Sequence, residues 1–365
     1  MNLIVSFSIY FVLYFLAPHI ADFFDQDKLI NIIRVLCTVF IIDAFSTVQS
    51  TILNKSLKFK TQFVLLIPSL IISGSLGVWM AYNGFGVWSL VWKDLTFAVI
   101  ATVQLWIYSK WVPSLVFDKV KLKYHFSFGY KLTLSNMINR VFENIYYVII
   151  GKYFSASQLG FYSRAKTLQE LPTNYLFLGF NRVSFPLLSQ INDNDSKLKS
   201  IYKRLMIQVI FWNTPILIIL GVLAQPLFRF MLTEKWLSAV PYFQVLVIAG
   251  LIFPLHRYNL NICYVKGRSD IVLKLSVFQN ILTIIGAFMA IWFGIYGLLW
   301  SIVFVNLIIA IVNANYSGRL INYSIMEQLK DITPIIIIGV FTGVITYWMD
   351  YILISLSTIF QSSKG

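Results

Sequence analysis

The chain has 365 residues, of which 58% are hydrophobic and only 12% charged, with 31 Phe, 20 Tyr and 10 Trp. A soluble protein of this composition would have an insoluble surface, whereas helices that face lipid require it. The formal net charge of +14 does not indicate nucleic-acid binding, because the basic residues segregate between the two sides of a membrane, as described below.

Eleven stretches reach membrane-spanning length, roughly 20 apolar residues each. In chain order they cover residues 2–18, 31–52, 62–82, 86–108, 125–150, 157–189, 205–228, 237–263, 271–292, 295–316 and 332–356. Continuous apolar runs predict helices rather than a barrel. We therefore expect an all-α polytopic membrane protein with about 11 transmembrane helices.

The connections between these spans differ in basic charge. Alternate connections place sixteen Lys and Arg residues on one side, including Lys121, Lys199 and Arg268, and six on the other, including Lys152 and Lys235. By the positive-inside rule, the richer side is cytoplasmic.

The chain contains an internal repeat. The segment GFGVWSLVW at residues 84–92 opens the fourth span, and WFGIYGLLW at residues 292–300 opens the tenth. Spans one to four thus correspond to spans seven to ten, unless the motif recurs by coincidence in apolar sequence. A parallel repeat of six spans follows, with the first two absent from the first copy. We therefore expect an N-terminally incomplete protein or an unusually short start.

This repeat predicts a domain organisation. Residues 1–110 form an incomplete N-terminal lobe of four spans, residues 111–124 a cytoplasmic linker, residues 125–318 a six-helix lobe, and residues 319–365 an additional span.

Spans five and six together carry seven charged residues within the predicted membrane region. Their charged residues are Lys131, Arg140, Glu143, Arg164, Lys166, Glu170 and Arg182. A charge that faces lipid near the bilayer centre costs about 2.5 to 3.5 kcal/mol. These side chains are therefore expected to line a wet cavity. The alternative is that Arg140 with Glu143, and Lys166 with Glu170, form pairs within single helices and hold a bundle together.

Several motifs resemble those of Wzx-type polysaccharide flippases. They are ENIYYVIIGK at residues 143–152, LGFYSRAK at 159–166, Phe185-Pro186, Glu234-Lys235-Trp236 and Gly267-Arg268-Ser269-Asp270. These flippases belong to the multidrug/oligosaccharidyl-lipid/polysaccharide (MOP) exporter superfamily. The resemblance implies a V-shaped pair of helical bundles around a cationic central cavity, with the family's first two helices and its last one missing here.

The resemblance also implies a function. Flippases of this type move undecaprenyl-pyrophosphate-linked sugar units across the bacterial inner (plasma) membrane for surface polysaccharide or lipopolysaccharide (O-antigen) synthesis. They do so by alternating access, without catalysis, a cofactor or a metal. The resemblance leaves open proton or sodium coupling and a complex with a polysaccharide polymerase.

The residues of such a site can be assigned by their chemistry. Arginine and lysine suit phosphate oxygens, which makes Arg140, Arg164, Lys166 and Arg182 candidates for the pyrophosphate. Polar edges and aromatic faces for the sugars are supplied by Asn136, Asn139, Asn174, Tyr147 and Tyr162. A desolvated carboxylate can take up a proton or cation, and the candidates for ion coupling are Glu143, Glu170, Asp43 and Asp94.

Two other functions are compatible with a polytopic membrane protein. A MATE-like drug or cation antiporter would have a drier and more acidic cavity, and a polytopic polysaccharide polymerase would need longer outer loops. No phosphate-binding P-loop or nucleophile motif is present in the sequence, which argues against ATP-driven transport by this chain. Arg257 either reaches the membrane interface or meets a substrate.

Overall fold

The computed structural model describes residues 2–56, 58–109, 111, 113, 137 and 140–362. It consists of two compact units, Met1–Gly129 and Tyr130–Gly365. The first unit contains helices α1 (Asn2–Phe23), α2 (Lys28–Leu36), α3 (Thr38–Lys55), α4 (Phe59–Tyr82) and α5 (Trp88–Ser109).

The described helices of the second unit start with the short α6 and the long α7, and end with a helix that follows the bundle. Its elements are α6 (Ile145–Tyr153), α7 (Ala156–Gln190), α8 (Asp195–Val222), α9 (Ala224–Leu232), a 3₁₀ turn (Glu234–Ala239), α10 (Val240–Val265), α11 (Ser269–Ile291), α12 (Gly294–Ile321) and α13 (Ile325–Ser362). Within the described residues, all regular structure is helical, which confirms the predicted all-α class.

Nine helical segments in the described part of the chain are long and apolar enough to cross a membrane. They coincide with nine of the eleven predicted spans. The predicted span at 157–189 is also one continuous helix, α7, but its polar side chains set it apart from the nine. Only residues 137 and 140–150 of the predicted span at 125–150 are described.

Several helices extend beyond the apolar runs that predicted them, because polar caps lie outside those runs. Helix α8 begins at Asp195, where the Asn194 side chain accepts a hydrogen bond from the Lys197 backbone N–H at 3.0 Å. At the start of α13, the Ser324 hydroxyl accepts from the Glu327 backbone N–H at 3.2 Å. Such caps satisfy backbone donors that a helix terminus leaves free.

The two copies of the repeated motif share a local backbone geometry. Gly86, between α4 and α5, has a φ of 54°, and Gly294, between α11 and α12, has a φ of 71°. Glycine adopts this left-handed conformation without the steric penalty of a side chain. The repeated glycine therefore makes the same tight connection before α5 and α12.

Helix α10 is the centre of the second unit and packs against α7, α8, α11 and α12. Two apolar clusters hold these helices together. One contains the fully buried Tyr162, Phe228 and Phe243, and the other contains the fully buried Tyr202 and Tyr258.

Side-chain contacts identify the two ends of the second unit. At one end, Lys266 pairs with Asp195 at 2.6 Å, which brings the α10–α11 connection to the start of α8. At the other end, Phe161 near the start of α7 packs edge-on against Trp236, with ring centroids 6.1 Å apart. The start of α7 and the 3₁₀ turn therefore lie at the same end, opposite Lys266.

These contacts and the predicted topology together give a labelling pattern. We expect cysteines introduced at Ser155 and Glu234 to react with a membrane-impermeant maleimide in intact cells, and cysteines at Ser196 and Ser269 to react only after permeabilisation. The background variant lacks Cys37 and Cys263, which are both buried. Labelling of Ser155 and Ser196 from the same side would contradict the predicted orientation of α7.

Candidate functional site

A cavity of about 440 Å³ lies within the second unit, and its lining comes from the segment before α6 and from α6, α7, α10, α11 and α12. It is polar although most of these helices are apolar. Five charged side chains line it, namely Arg140, Glu143, Lys166, Glu170 and Arg257. A polar cavity of this kind is the expected place for a ligand-binding site in a membrane protein.

Four of these charges form ion pairs on one wall. The Arg140 guanidinium lies 3.2 Å from a Glu143 carboxylate oxygen in the helical turn before α6. The Lys166 ammonium lies 3.8 Å from a Glu170 oxygen on α7. Both ion pairs therefore form within single helical segments, as expected if they hold a helix bundle together. Both pairs also line the cavity, as the alternative interpretation of the sequence requires.

Lys166 is held by aromatic rings as well as by its carboxylate partner. Its ammonium lies 4.8 Å from the centroid of the Tyr147 ring and 5.7 Å from that of Tyr162, within the range of cation–π attraction. The two rings meet edge to face at 5.1 Å, and the Lys166 side chain is only 18% exposed. These contacts fix the position of the cation on the cavity wall.

A glycine on α10 allows α7 to approach closely. A Cβ atom at Gly250 would come within 3.0 Å of both the Gln169 side chain and a Leu217 methyl group. Gln169 also donates to the Thr173 hydroxyl at 3.1 Å. A larger residue at position 250 would displace the Gln169 side chain from this position.

Helices α11 and α12 contribute uncharged polar groups to the cavity, which the sequence analysis missed. Gln279, Asn280 and Thr283 line the cavity from α11, and Asn306 lines it from α12. Among the described residues, no hydrogen-bond partner is found for the three carboxamides. In the sequence, polar residues at 279, 280 and 283 lie within a predominantly apolar span. Their spacing groups them on one side of a helix.

Arg257 on α10 also lines the cavity, which favours contact with a ligand over a position at the membrane interface. Its guanidinium carbon lies 5.4 Å from the centroid of the Phe253 ring. The neighbouring His256 is buried, and its Nδ1 lies 3.1 Å from the Asn313 amide nitrogen on α12.

Other predicted site residues lie in different places. Asn174, Tyr147 and Tyr162 line the cavity with the ion pairs. Arg164 does not, because it is two residues from Lys166, and positions i and i+2 of a helix do not face the same way. Its guanidinium carbon lies 5.6 Å from the centroid of the Trp236 ring instead. Asn136, Asn139 and Lys131 lie outside the described residues, and so does the side chain of Arg182.

The two predicted aspartates belong to the first unit. Asp43 on α3 and Asp94 on α5 border a separate, mainly apolar cavity of about 490 Å³. Asp94 pairs with the adjacent Lys93 at 3.0 Å. In the part of the chain that the structure describes, no group of three or more His, Cys, Asp or Glu residues could hold a metal ion.

Comparison with known protein families identifies one that the chain matches. The family described as polysaccharide biosynthesis protein matches residues 1–241, about two thirds of the chain. The chain belongs to this family. Membership agrees with the resemblance found in its motifs, and this polysaccharide biosynthesis protein is an all-α, multi-pass membrane protein.

Several relatives have names that refer to the biosynthesis of teichuronic acid, lipopolysaccharide or succinoglycan. The teichuronic acid biosynthesis protein TuaB of Bacillus subtilis strain 168 is 26% identical over 90% of this chain and 68% of its own length. The lipopolysaccharide biosynthesis protein WzxC of Escherichia coli K12 is 23% identical over 74% and 56%, and the succinoglycan biosynthesis transport protein ExoT of Rhizobium meliloti strain 1021 is 23% identical over 73% and 53%. The chain thus spans between about half and two thirds of the length of these relatives.

A solved structure shares the fold. The lipid II flippase MurJ, in an inward closed conformation, matches with a TM-score of 0.67 over 98% of this chain and 82% of its own, at 14% sequence identity. At this identity the likeness concerns the fold, and the site has to be argued from the residues of this chain.

Proposed function

We propose that this polysaccharide biosynthesis protein moves polyprenyl-pyrophosphate-linked oligosaccharides across the bacterial inner membrane by alternating access. The observation that carries the proposal is the polar cavity of the second unit. There the ion pairs of α7 and of the turn before α6 meet carboxamides of the membrane-length helices α11 and α12 that have no partner among the described residues. Such groups are costly in hydrocarbon and are retained where water or a polar ligand meets them.

The chemistry of the cavity matches the two polar parts of such a lipid. The pyrophosphate carries negative charge that cannot cross hydrocarbon unaided, and the cavity offers three cations against two carboxylates. The sugars present hydroxyl groups, for which the carboxamides of Gln279, Asn280 and Asn306 provide both donors and acceptors. The polyprenyl tail, of the undecaprenyl type, stays in the surrounding lipid.

Translocation of this kind makes and breaks no covalent bond, so the proposal assigns no catalytic residue and no cofactor. A conformational cycle that concentrates substrate needs an energy source, and a proton or sodium gradient can supply it. Glu143 and Glu170 are the candidate coupling groups, since both carboxylates line the cavity and a carboxylate can take up a proton or a cation.

Transport can be tested with purified protein in vesicles. Vesicles loaded on one side with undecaprenyl-pyrophosphate-linked oligosaccharide, extracted from the source cells, should expose it on the other side when the protein is present. A lectin or glycosidase added outside reads the exposure, and protein-free vesicles are the control. Failure of exposure with folded protein, with and without an imposed pH or sodium gradient, would contradict the proposal.

The carboxamide wall gives a separate prediction. We expect Asn280→Leu and Asn306→Leu each to lower the affinity for the oligosaccharide-linked lipid about fivefold, the usual value of one lost hydrogen bond. Affinity for bare undecaprenyl pyrophosphate should not change, because it has no sugar hydroxyls. The matched control is Asn315→Leu, an exposed residue of α12 that does not line the cavity. Equal losses for both lipids would show that this wall does not recognise sugar.

A further inference from the structure

The charged side chains that line the cavity do not contribute equally to its net charge. Arg140 and Glu143 compensate each other, and so do Lys166 and Glu170, at 3.2 Å and 3.8 Å. The fifth charge, on Arg257, has no carboxylate within ion-pair distance among the described residues. The net positive charge of the described cavity lining is therefore carried by Arg257.

One donor of the Arg257 guanidinium has no partner in the described part of the structure. Its Nε is buried and has no hydrogen-bond partner in the described part of the structure. The contact with the Phe253 ring supports the flat face of the guanidinium but satisfies none of its N–H donors. The adjacent His256 is engaged by Asn313 and does not compete for a ligand.

An anion would satisfy the guanidinium in this position. Arg257 is half-buried, and a charge that is partly removed from water is stabilised by a partner of opposite charge. Helix α10 is the most enclosed helix of the unit, so Arg257 cannot easily move into bulk water as a residue near a helix end would. Its planar donors match two phosphate oxygens at once.

We propose that Arg257 is the residue that binds the pyrophosphate of the transported lipid. The assignment rests on the proposed function and refines it. The paired cations Arg140 and Lys166 then have a different role, which is to hold the charge of Glu143 and Glu170 so that the cavity does not repel the anion.

Equilibrium binding of undecaprenyl pyrophosphate to the purified protein tests this assignment. We expect Arg257→Gln to weaken binding at least about tenfold, because the anion loses a charged two-point contact. Arg257→Lys keeps the charge but loses the planar fork, and we expect it to weaken binding severalfold. The matched control is Arg204→Gln, an exposed arginine on α8 that does not line the cavity, which should bind as the unmodified chain does.

Three results would overturn the assignment. They are unchanged affinity in Arg257→Gln, unchanged affinity in Arg257→Lys if the glutamine variant does not fold, and an equal loss in Arg204→Gln. Absence of binding by the unmodified chain would instead contradict the proposed function itself, and the assignment with it. Undecaprenol lacks phosphate, so its binding measures the contribution of the polyprenyl chain alone. This binding should not respond to any change at Arg257.

Discussion

Replacement of Lys166 by methionine is expected to weaken binding of undecaprenyl pyrophosphate at least about tenfold, although methionine fills a similar space. The change leaves the Glu170 carboxylate without its partner at 3.8 Å, in a cavity that has to accept an anion. The uncompensated carboxylate repels the pyrophosphate at close range, and tenfold corresponds to about 1.4 kcal/mol. Equilibrium binding to purified variants measures the effect.

A double variant distinguishes charge compensation from direct contact. If Lys166 acts by compensating Glu170, then Lys166→Met with Glu170→Gln should recover most of the affinity. A double variant as weak as the single one would mean that Lys166 contacts the phosphate itself.

The double variant also tests ion coupling. Recovered binding without transport in vesicles would identify Glu170 as the coupling group, and recovered transport with normal gradient dependence would exclude it.

The second large effect concerns stability at the Lys266 end of the second unit. Asn259 on α10 is fully buried, and its side-chain oxygen accepts from the Tyr202 hydroxyl at 2.9 Å and from the Ser317 hydroxyl at 2.5 Å. Its side-chain nitrogen donates to Gln328 on α13 at 3.1 Å. One side chain therefore connects α8, α10, α12 and α13.

We expect Asn259→Leu to destabilise the protein by about 2–4 kcal/mol, because it leaves buried donors and acceptors on several helices without partners. In a thermal unfolding measurement on detergent-solubilised protein, this should lower the Tm by at least about 5 °C. Asn315→Leu, at an exposed position of α12, is the control and should change the Tm little. An unchanged Tm for Asn259→Leu would mean that other contacts hold these helices together, such as the Lys203–Asp331 pair at 2.7 Å.

The two effects should be separable. Asn259 does not line the cavity, so a folded Asn259→Leu protein should bind undecaprenyl pyrophosphate with nearly normal affinity below its Tm. The Lys166 variant should show the reverse, with weaker binding and a smaller change in Tm. A loss of binding in both would mean that the network around Asn259 also shapes the cavity.

The sequence by itself determined the class of the protein and most of its helices. Apolar runs of spanning length are a local property, and hydrocarbon admits few other structures for them, so nine predicted spans reappear as helices. The tight connections at Gly86 and Gly294 were equally predictable from local sequence. Glycine adopts a positive φ without the steric penalty of a side chain. Helix ends were less predictable, since the caps at Asn194 and Ser324 are polar and lie outside the apolar runs.

Only the tertiary structure decided which polar side chains share a cavity. Periodicity groups residues on one face of a helix, but it does not say which face meets a neighbouring helix or what that neighbour presents. Arg164 and Lys166, two residues apart, were both assigned to the pyrophosphate by their charge. In the structure Lys166 lines the cavity, whereas the Arg164 guanidinium lies near the Trp236 ring. The contributions of Arg257 and Asn306 depend on how α10 and α12 pack against α7 and α11, and that packing joins segments too distant in sequence for any local pattern to reveal.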